Sequence, residues 1–187
     1  GHSAGLAVTT GQDNTLIGGL AGDAITTSSS NTAVGRSSLS ATTTGDENSA
    51  VGRGSLSANT TGENNAALGF NALASNTTAD NNTGIGSSAL ASNTTGASNI
   101  AIGSLTLDAN TTGEFNTAIG KEAMTTNTTG DRNVAVGFKA LKTMNVTDGS
   151  HTFNTAVGFA AGELTTTGTG NTFMGANAGG VNTTGSD

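Results

Sequence analysis

Residues 116–132 read NTAIGKEAMTTNTTGDR, and this 17-residue stretch decides the fold because close copies of it fill the chain. We number the positions of the unit 1 to 17 from its opening Asn; the general pattern is NTAVGxxALxxNTTGxx. Fixed-period self-similarity is the signature of a repeat architecture. The opening Asn recurs every 17 residues from Asn14 to Asn133, then after a gap of 21, then after 17 again: Asn14, Asn31, Asn48, Asn65, Asn82, Asn99, Asn116, Asn133, Asn154 and Asn171.

The unit is too short for a helical hairpin and shows no helix-period stripe. Its Gly, Asn and β-branched residues suit one coil of a β-solenoid. We therefore predict an all-β fold, a parallel β-solenoid of about ten 17-residue coils, each with two short strands and two turns. The predicted array covers 4–187 as one domain, with a half coil at 4–13 and ten units from Asn14 to Asp187. Residues 1–3, Gly-His-Ser, are typical of an expression-tag remnant.

Side chains alternate across a strand, so the NTAVG segment has two faces. Position 4 is large and aliphatic in all ten units, and position 3 is small in eight. We predict that position 4 lines the coil interior and that position 3 permits close approach of other chains. The invariant Gly at position 5 indicates a backbone with φ > 0 or no room for Cβ.

Positions 9 and 1 of the unit are also predicted to be structural. Position 9 is Leu or Met in the middle units and Gly in the flanking ones, which predicts different packing there. The Asn at position 1 is predicted to form a buried amide ladder, which satisfies polar groups that are costly to bury unpaired. In the second to fourth units these structural residues are Asn31, Val34, Gly35, Leu39, Asn48, Val51, Gly52, Leu56, Asn65, Leu68, Gly69 and Leu73.

Composition narrows the function. Of 187 residues, 33% are hydrophobic and only 10% are charged, which fits neither an aromatic-filled core nor a typical disordered chain. The absence of Cys excludes disulfides and thiolate metal sites. A net charge of −7 argues against nucleic acid as a partner. No apolar run reaches the roughly 18 residues of a membrane span, so we expect no membrane contact by this segment.

One chain alone offers little core. Each coil supplies about two large aliphatic side chains, at roughly 1.5–3 kcal/mol each when buried. Ordering the coil costs about 1–2 kcal/mol per backbone residue. No terminal cap is recognisable, although repeat arrays need one to protect their edges. We therefore expect a stretch of a longer fibre whose chains associate side by side.

The Asn-x-Ala-Val-Gly and Asn-Thr-Thr-Gly segments, over about residues 4–187, resemble the head repeats of trimeric autotransporter adhesins. They resemble still more the repeats of phage tail fibres and related bacterial fibres that end in an endosialidase-type chaperone domain. Adhesin heads usually repeat at a slightly shorter period around a similar Val-Ala-Ile-Gly core, so the spacing differs. The resemblance implies a homotrimer of left-handed parallel β-rolls, extracellular, on a bacterial cell surface or virion tail fibre. It further implies attachment to a host or prey cell-surface glycan or protein.

Three features are candidate sites. An acidic column at position 16 suggests either Ca²⁺ ligands or, as we favour, a solvated turn; it comprises Asp46, Glu63, Asp80, Glu114 and Asp131. Phe70, Phe138 and Phe159 suggest a glycan groove or, as we favour, a subunit seam. A four-residue insertion within 142–153, KTMNVTDGSHTF, predicts a protruding loop that is tolerated or binds ligand, with Asp148 and His151 as candidate ligand contacts.

No catalytic residue, cofactor or metal is predicted. A lone His–Asp pair without an arranged nucleophile is weak evidence for catalysis. Sugars on the Asn-Thr-Thr sequons would crowd lateral association, which favours a bacterial or phage origin; the sequons are Asn59, Asn76, Asn93, Asn110, Asn127 and Asn182.

The leading hypothesis is a structural and adhesive fibre segment. An alternative is an ice-binding solenoid that uses its regular Thr-Thr ranks, of which only one member per pair can point outward in an extended segment. A polysaccharide-cleaving β-helix enzyme is a third hypothesis. It requires paired carboxylates at a cleft, whereas the acidic residues here occur one per coil.

Overall fold

The computed structural model describes residues 1–186, which form one parallel β-solenoid with a three-residue strand in each repeat. The strands stack in chain order within a single ten-stranded sheet. They are β1 (Thr15–Ile17), β2 (Thr32–Val34), β3 (Ser49–Val51), β4 (Ala66–Leu68), β5 (Thr83–Ile85), β6 (Ile100–Ile102), β7 (Thr117–Ile119), β8 (Val134–Val136), β9 (Thr155–Val157) and β10 (Thr172–Met174).

The predicted parallel β-solenoid is confirmed. Strand partners are one repeat apart, as in the pairing of Val34 with Val51. Across the insertion the offset widens, and Val134 pairs with Thr155. Residues 1–3 continue the path, since Leu20 N donates to His2 O at 2.9 Å. Asp187, the last residue of the predicted array, lies outside the described residues.

The prediction of two strands per coil is wrong. The second half of each coil is bonded to its neighbours through the backbone, as in Thr43 N to Thr60 O at 3.0 Å, but it is not extended. The reason is local: positions 7 and 9 adopt left-handed φ values, for example 56° at Ser88 and 52° at Leu90. Such φ values bend the chain into turns.

The predicted orientation of the strand faces is also wrong. Position 3 points inward, and its seven Ala residues are at most 2% exposed: Ala33, Ala50, Ala67, Ala101, Ala118, Ala135 and Ala156. Position 4 points outward, so Val34, Val51 and Leu68 do not line the interior. Ile17 is 58% exposed and Leu68 is 50% exposed. The coil is narrow, and the position-9 side chains such as Leu56 already fill it, leaving room for only a methyl group opposite.

Positions 3 and 9 share one fixed volume, as the flanking units demonstrate. In the first and tenth units a large residue replaces Ala at position 3 and Gly replaces Leu at position 9, whereas the ninth unit keeps Ala156 and has Gly162 at position 9. Leu16 lies against Gly22, and Phe173 lies against Gly162 and Gly179. A Cβ added to Gly179 would lie 2.2 Å from the Phe173 ring. The predicted difference in packing at the flanks is thus confirmed as an exchange of large and small residues.

The position-1 Asn residues form the predicted buried ladder. The side-chain oxygen of Asn99 accepts from Asn116 N at 3.0 Å and from Asn116 Nδ2 at 3.2 Å. Its own Nδ2 donates to Gly113 O at 2.8 Å. Each Asn therefore joins its own coil to the next, and almost all of these side chains are fully buried.

A second Asn ladder, not predicted, runs along position 12 from Asn59 to Asn127. Asn93 Nδ2, for example, donates to Asn76 Oδ1 at 3.0 Å and to Gly96 O at 2.9 Å. These residues are the sequon asparagines, and Asn59, Asn76, Asn93, Asn110 and Asn127 are fully buried. The folded chain therefore offers no acceptor amide at these five sequons.

Gly at position 5 is required for both predicted reasons, a positive φ and a lack of room for Cβ. Gly86 has φ of +135°, and a Cβ there would lie 2.4 Å from Gly103 O in the next coil. Successive coils therefore stack backbone against backbone at this corner.

Candidate binding surfaces

The outer face of the sheet, formed by the side chains at positions 2 and 4 of the ten strands, is the largest regular surface. Position 4 contributes an uninterrupted aliphatic column from Ile17 to Met174, the latter 66% exposed. Position 2 is mostly Thr, with Ile100 and Val134 adding apolar area. Neither position carries a charged residue in any strand. An extended apolar surface of this kind is typical of a contact with another molecule.

Carboxylates of the acidic column accept hydrogen bonds from backbone amides. Asp46 Oδ1 accepts from Ser29 N at 2.6 Å, and Asp131 Oδ1 accepts from Glu114 N at 2.7 Å. The three Asp carboxylates of the column, at Asp46, Asp80 and Asp131, thus each satisfy an amide of the preceding coil. Within residues 1–186, no group of three or more His, Asp or Glu side chains is placed to hold a metal ion.

The paired Thr residues divide their roles. Position 13 bonds the next coil, as when Thr77 Oγ1 donates to Thr94 O at 3.1 Å. Position 14 is exposed from the first to the sixth unit, at Thr27, Thr44, Thr61, Thr78, Thr95 and Thr112. One exposed Thr rank therefore runs along the rod.

The three predicted Phe residues all stand at position 6 but do not form a groove. Phe138 and Phe159 stack with ring centroids 5.3 Å apart. Phe70 lies apart from them, and the Arg53 guanidinium lies 5.8 Å from its ring centroid. Residues 1–186 enclose no pocket at all. These rings are available to a flat contact only.

The insertion protrudes at residues 147–150, where Thr147, Asp148 and Gly149 are exposed. Asp148 Oδ1 accepts from Ser150 N at 3.0 Å. Hydrogen bonds from Ser150 hold the pKa of Asp148 below its ordinary value. His151 bonds a different acid: its Nδ1 lies 3.1 Å from Asp131 Oδ2. The two predicted ligand contacts are therefore near in sequence but engage separate partners.

Sequence reasoning missed the residues around His151. Its ring meets Phe153 edge-on at 5.8 Å, and Arg132 Nη1 lies 2.9 Å from its Nε2. The Arg132 guanidinium in turn lies 5.2 Å from the Phe115 ring centroid. We call Phe115, Asp131, Arg132, His151 and Phe153 the position-17 ledge, because three of them occupy that position. The signal was present: position 17 holds polar residues in all earlier coils and becomes Phe, Arg and Phe only here.

Ion pairs join Lys121 and Lys142 to Glu122, and Lys139 to Glu163; we call these five residues the charged strip. Lys142 Nζ lies 3.1 Å from Glu122 Oε2, and this hydrogen bond lowers the pKa of Glu122. Asp108 differs, because burial raises its pKa and its Oδ1 has no hydrogen-bond partner. Exposed pairs of this kind contribute little to stability, so the strip serves mainly to keep that part of the surface polar.

No known family model, curated protein or solved structure matches the chain. Within residues 1–186 there is no helix of the length and apolarity that a membrane crossing requires.

Proposed function

We propose that the chain is a structural and adhesive segment of a homotrimeric surface fibre, a bacterial adhesin head or a phage tail fibre. It acts outside the cell in attachment and performs no catalysis. The observation that carries the proposal is the outer face: ten aliphatic side chains form one uncharged column along the rod, five of them exposed and the other five partly exposed. The family resemblance of the repeat supports a trimer and left-handed winding of each chain.

Covering the outer face is energetically worthwhile. A fully buried aliphatic side chain contributes about 1.5–3 kcal/mol, so covering the exposed half of Leu68 or Ile17 contributes about 1 kcal/mol. Monomeric soluble proteins rarely expose a large contiguous apolar surface, and this face carries no charged residue. Three parallel copies related by a rotation axis along the rod would bring equivalent coils to the same level and cover all ten rows at once.

The solution mass tests the proposal directly. Light scattering coupled to size-exclusion chromatography should give about 54 kDa, three times the chain mass of 18.0 kDa. Leu68→Glu with Ile119→Glu places two charges in the column and should yield the monomer mass with unchanged circular dichroism. Thr78→Glu with Thr112→Glu adds the same charge to the exposed Thr rank and should remain trimeric. A monomeric wild type would refute the proposal.

Ice binding is the second candidate, because the exposed position-14 Thr rank repeats at the strand spacing of roughly 4.8 Å. Thermal hysteresis in the wild type that disappears when Thr78 and Thr112 become Glu would establish it. A trimer without hysteresis would exclude it.

A further inference from the structure

We infer that the position-17 ledge is a binding surface for an uncharged glycan, laid along the rod across Phe115, Arg132, His151 and Phe153. This inference rests on the proposed attachment function, for which it names the ligand class and the site.

The backbone of the ledge is the first argument. Within residues 1–186, position 17 has a left-handed φ wherever it is not Gly, with values of 56° at Phe115, 59° at Arg132 and 51° at Phe153. In the six earlier instances the residue is polar: Asp13, Ser30, Glu47, Asn64, Asn81 and Ser98. Bulky residues are disfavoured in this conformation. Elsewhere in the array the same conformation is a structural turn, occupied at position 9 by buried Leu or Met, so the distinguishing feature of position 17 here is that its Phe side chains are exposed.

The two Phe side chains are not buried in the core, so packing does not offset the unfavourable backbone conformation. Phe115 is 50% exposed and Phe153 is 56% exposed. The last of the three coils that contribute to the ledge, 133–153, contains the only insertion in the array, exposed at Thr147, Asp148 and Gly149. Two exposed rings and a protruding loop thus occur within three consecutive coils, and neither ring contributes to the core.

The chemistry of the ledge matches a sugar chain. Phe115 and Phe153 stand two coils apart, or about 10 Å at the usual strand spacing. Between them lie the Arg132 guanidinium and the His151 ring, with Asp131 Oδ2 bonded to His151 Nδ1 at 3.1 Å. Sugars present both apolar C–H faces, which pack on aromatic rings, and hydroxyls, which bond to charged and imidazole groups.

Charge selects the class of glycan. Glu114 directly precedes Phe115 and Asp131 directly precedes Arg132, so the ledge carries two acidic neighbours along the chain against the single permanent cation Arg132. This local excess of negative charge, together with the net charge of −7, disfavours sialylated or phosphorylated chains. Because no pocket is present, the ligand is an extended chain on the surface rather than an enclosed small molecule.

The test uses an array of neutral oligosaccharides with sialylated counterparts, followed by titration calorimetry with the neutral compounds that bind. Phe115→Ser with Phe153→Ser restores the residue type found at Ser30 and Ser98. These changes should weaken binding about tenfold or more. Phe70→Ser removes another half-exposed Phe that lies beside an Arg, and it should bind like the wild type.

The outcomes separate this inference from the proposed trimer. Binding of neutral glycans that the double variant loses and Phe70→Ser retains supports the ledge, whether the wild type is trimeric or monomeric. A trimeric wild type that binds no neutral glycan overturns the ledge alone. A double variant that falls to the monomer mass also overturns it, because the rings are then a subunit contact.

Discussion

Two glycines in the same coil should respond oppositely to the same change. Gly84 lies at position 3, in the middle of β5, and Gly86 lies at position 5, just after the strand. Adding one methyl group at each site separates the two requirements of the coil, a filled interior and a corner of close backbone contact.

Gly84→Ala should stabilise the chain by about 0.5–1 kcal/mol, since Gly in a strand costs about that much relative to Ala. The new Cβ would lie 3.2 Å from Leu73 Cγ, a tight contact. Ala occupies the equivalent place in seven other coils, as at Ala67 and Ala101, so the Leu column accommodates it.

Gly86→Ala should destabilise by about 3 kcal/mol or more. Its φ of +135° lies in a region essentially reserved for Gly, which costs of order 1–3 kcal/mol for other residues. The new Cβ would also lie 2.4 Å from Gly103 O and 2.5 Å from Gly103 C, so the next coil would have to move.

Urea unfolding followed by far-ultraviolet circular dichroism measures both effects, because the chain has no Trp or Tyr to report by fluorescence. All samples should share one protein concentration, since the stability of an oligomer depends on it. The account of the coil is refuted if Gly86→Ala costs less than about 1 kcal/mol, or if Gly84→Ala is the more damaging change.

Two other substitutions test the polar interior. Asn99→Ala should cost about 1–3 kcal/mol in urea unfolding, since Asn116 N loses its buried partner, whereas Gly113 O keeps Asn110 Nδ2 at 3.0 Å; Ser98→Ala is the control, and equal effects would contradict the ladder. Asp108→Ser should raise the urea midpoint at pH 7, because burial raises the pKa of Asp108 above its ordinary 3.8. The native state then holds this proton more tightly than the unfolded state, so the wild type loses stability as pH rises from 3.8 through the native pKa. The gain should therefore shrink at pH 3, and an undiminished gain there would contradict this cause.

The sequence predicted those features that depend on one residue type returning at one place. The 17-residue register was enough for the stacked coils, for the position-1 ladder and for the corner at Gly86. It was not enough for a choice between the two strand faces, because alternation defines two faces without saying which is inside. The information lay in a second column: Leu16 coincides with Gly22, and Phe173 with Gly179, which places positions 3 and 9 opposite each other.

The candidate binding surface was only partly predictable. The insertion drew attention to Asp148 and His151 because it breaks the period. Phe115 and Arg132 belong to earlier coils, and their approach to His151 depends on the left-handed φ at position 17, which no local pattern of these residues indicates. The buried position of the sequon asparagines was not predictable for the opposite reason. A motif that usually lies on a surface forms an internal ladder in this chain.

The exchange of large and small residues has a consequence for how such rods vary in length. From Asn65 to Phe115 every unit meets its neighbours through the same two Asn ladders, so recombination that adds or removes one whole unit there exchanges each of these contacts for its counterpart. The unit containing Phe173 is not interchangeable in this way, because its ring needs glycine both in its own coil and in the coil before it. The length of such a rod can therefore change by whole coils in the middle of the array, while the unit that contains Phe173 stays in its place.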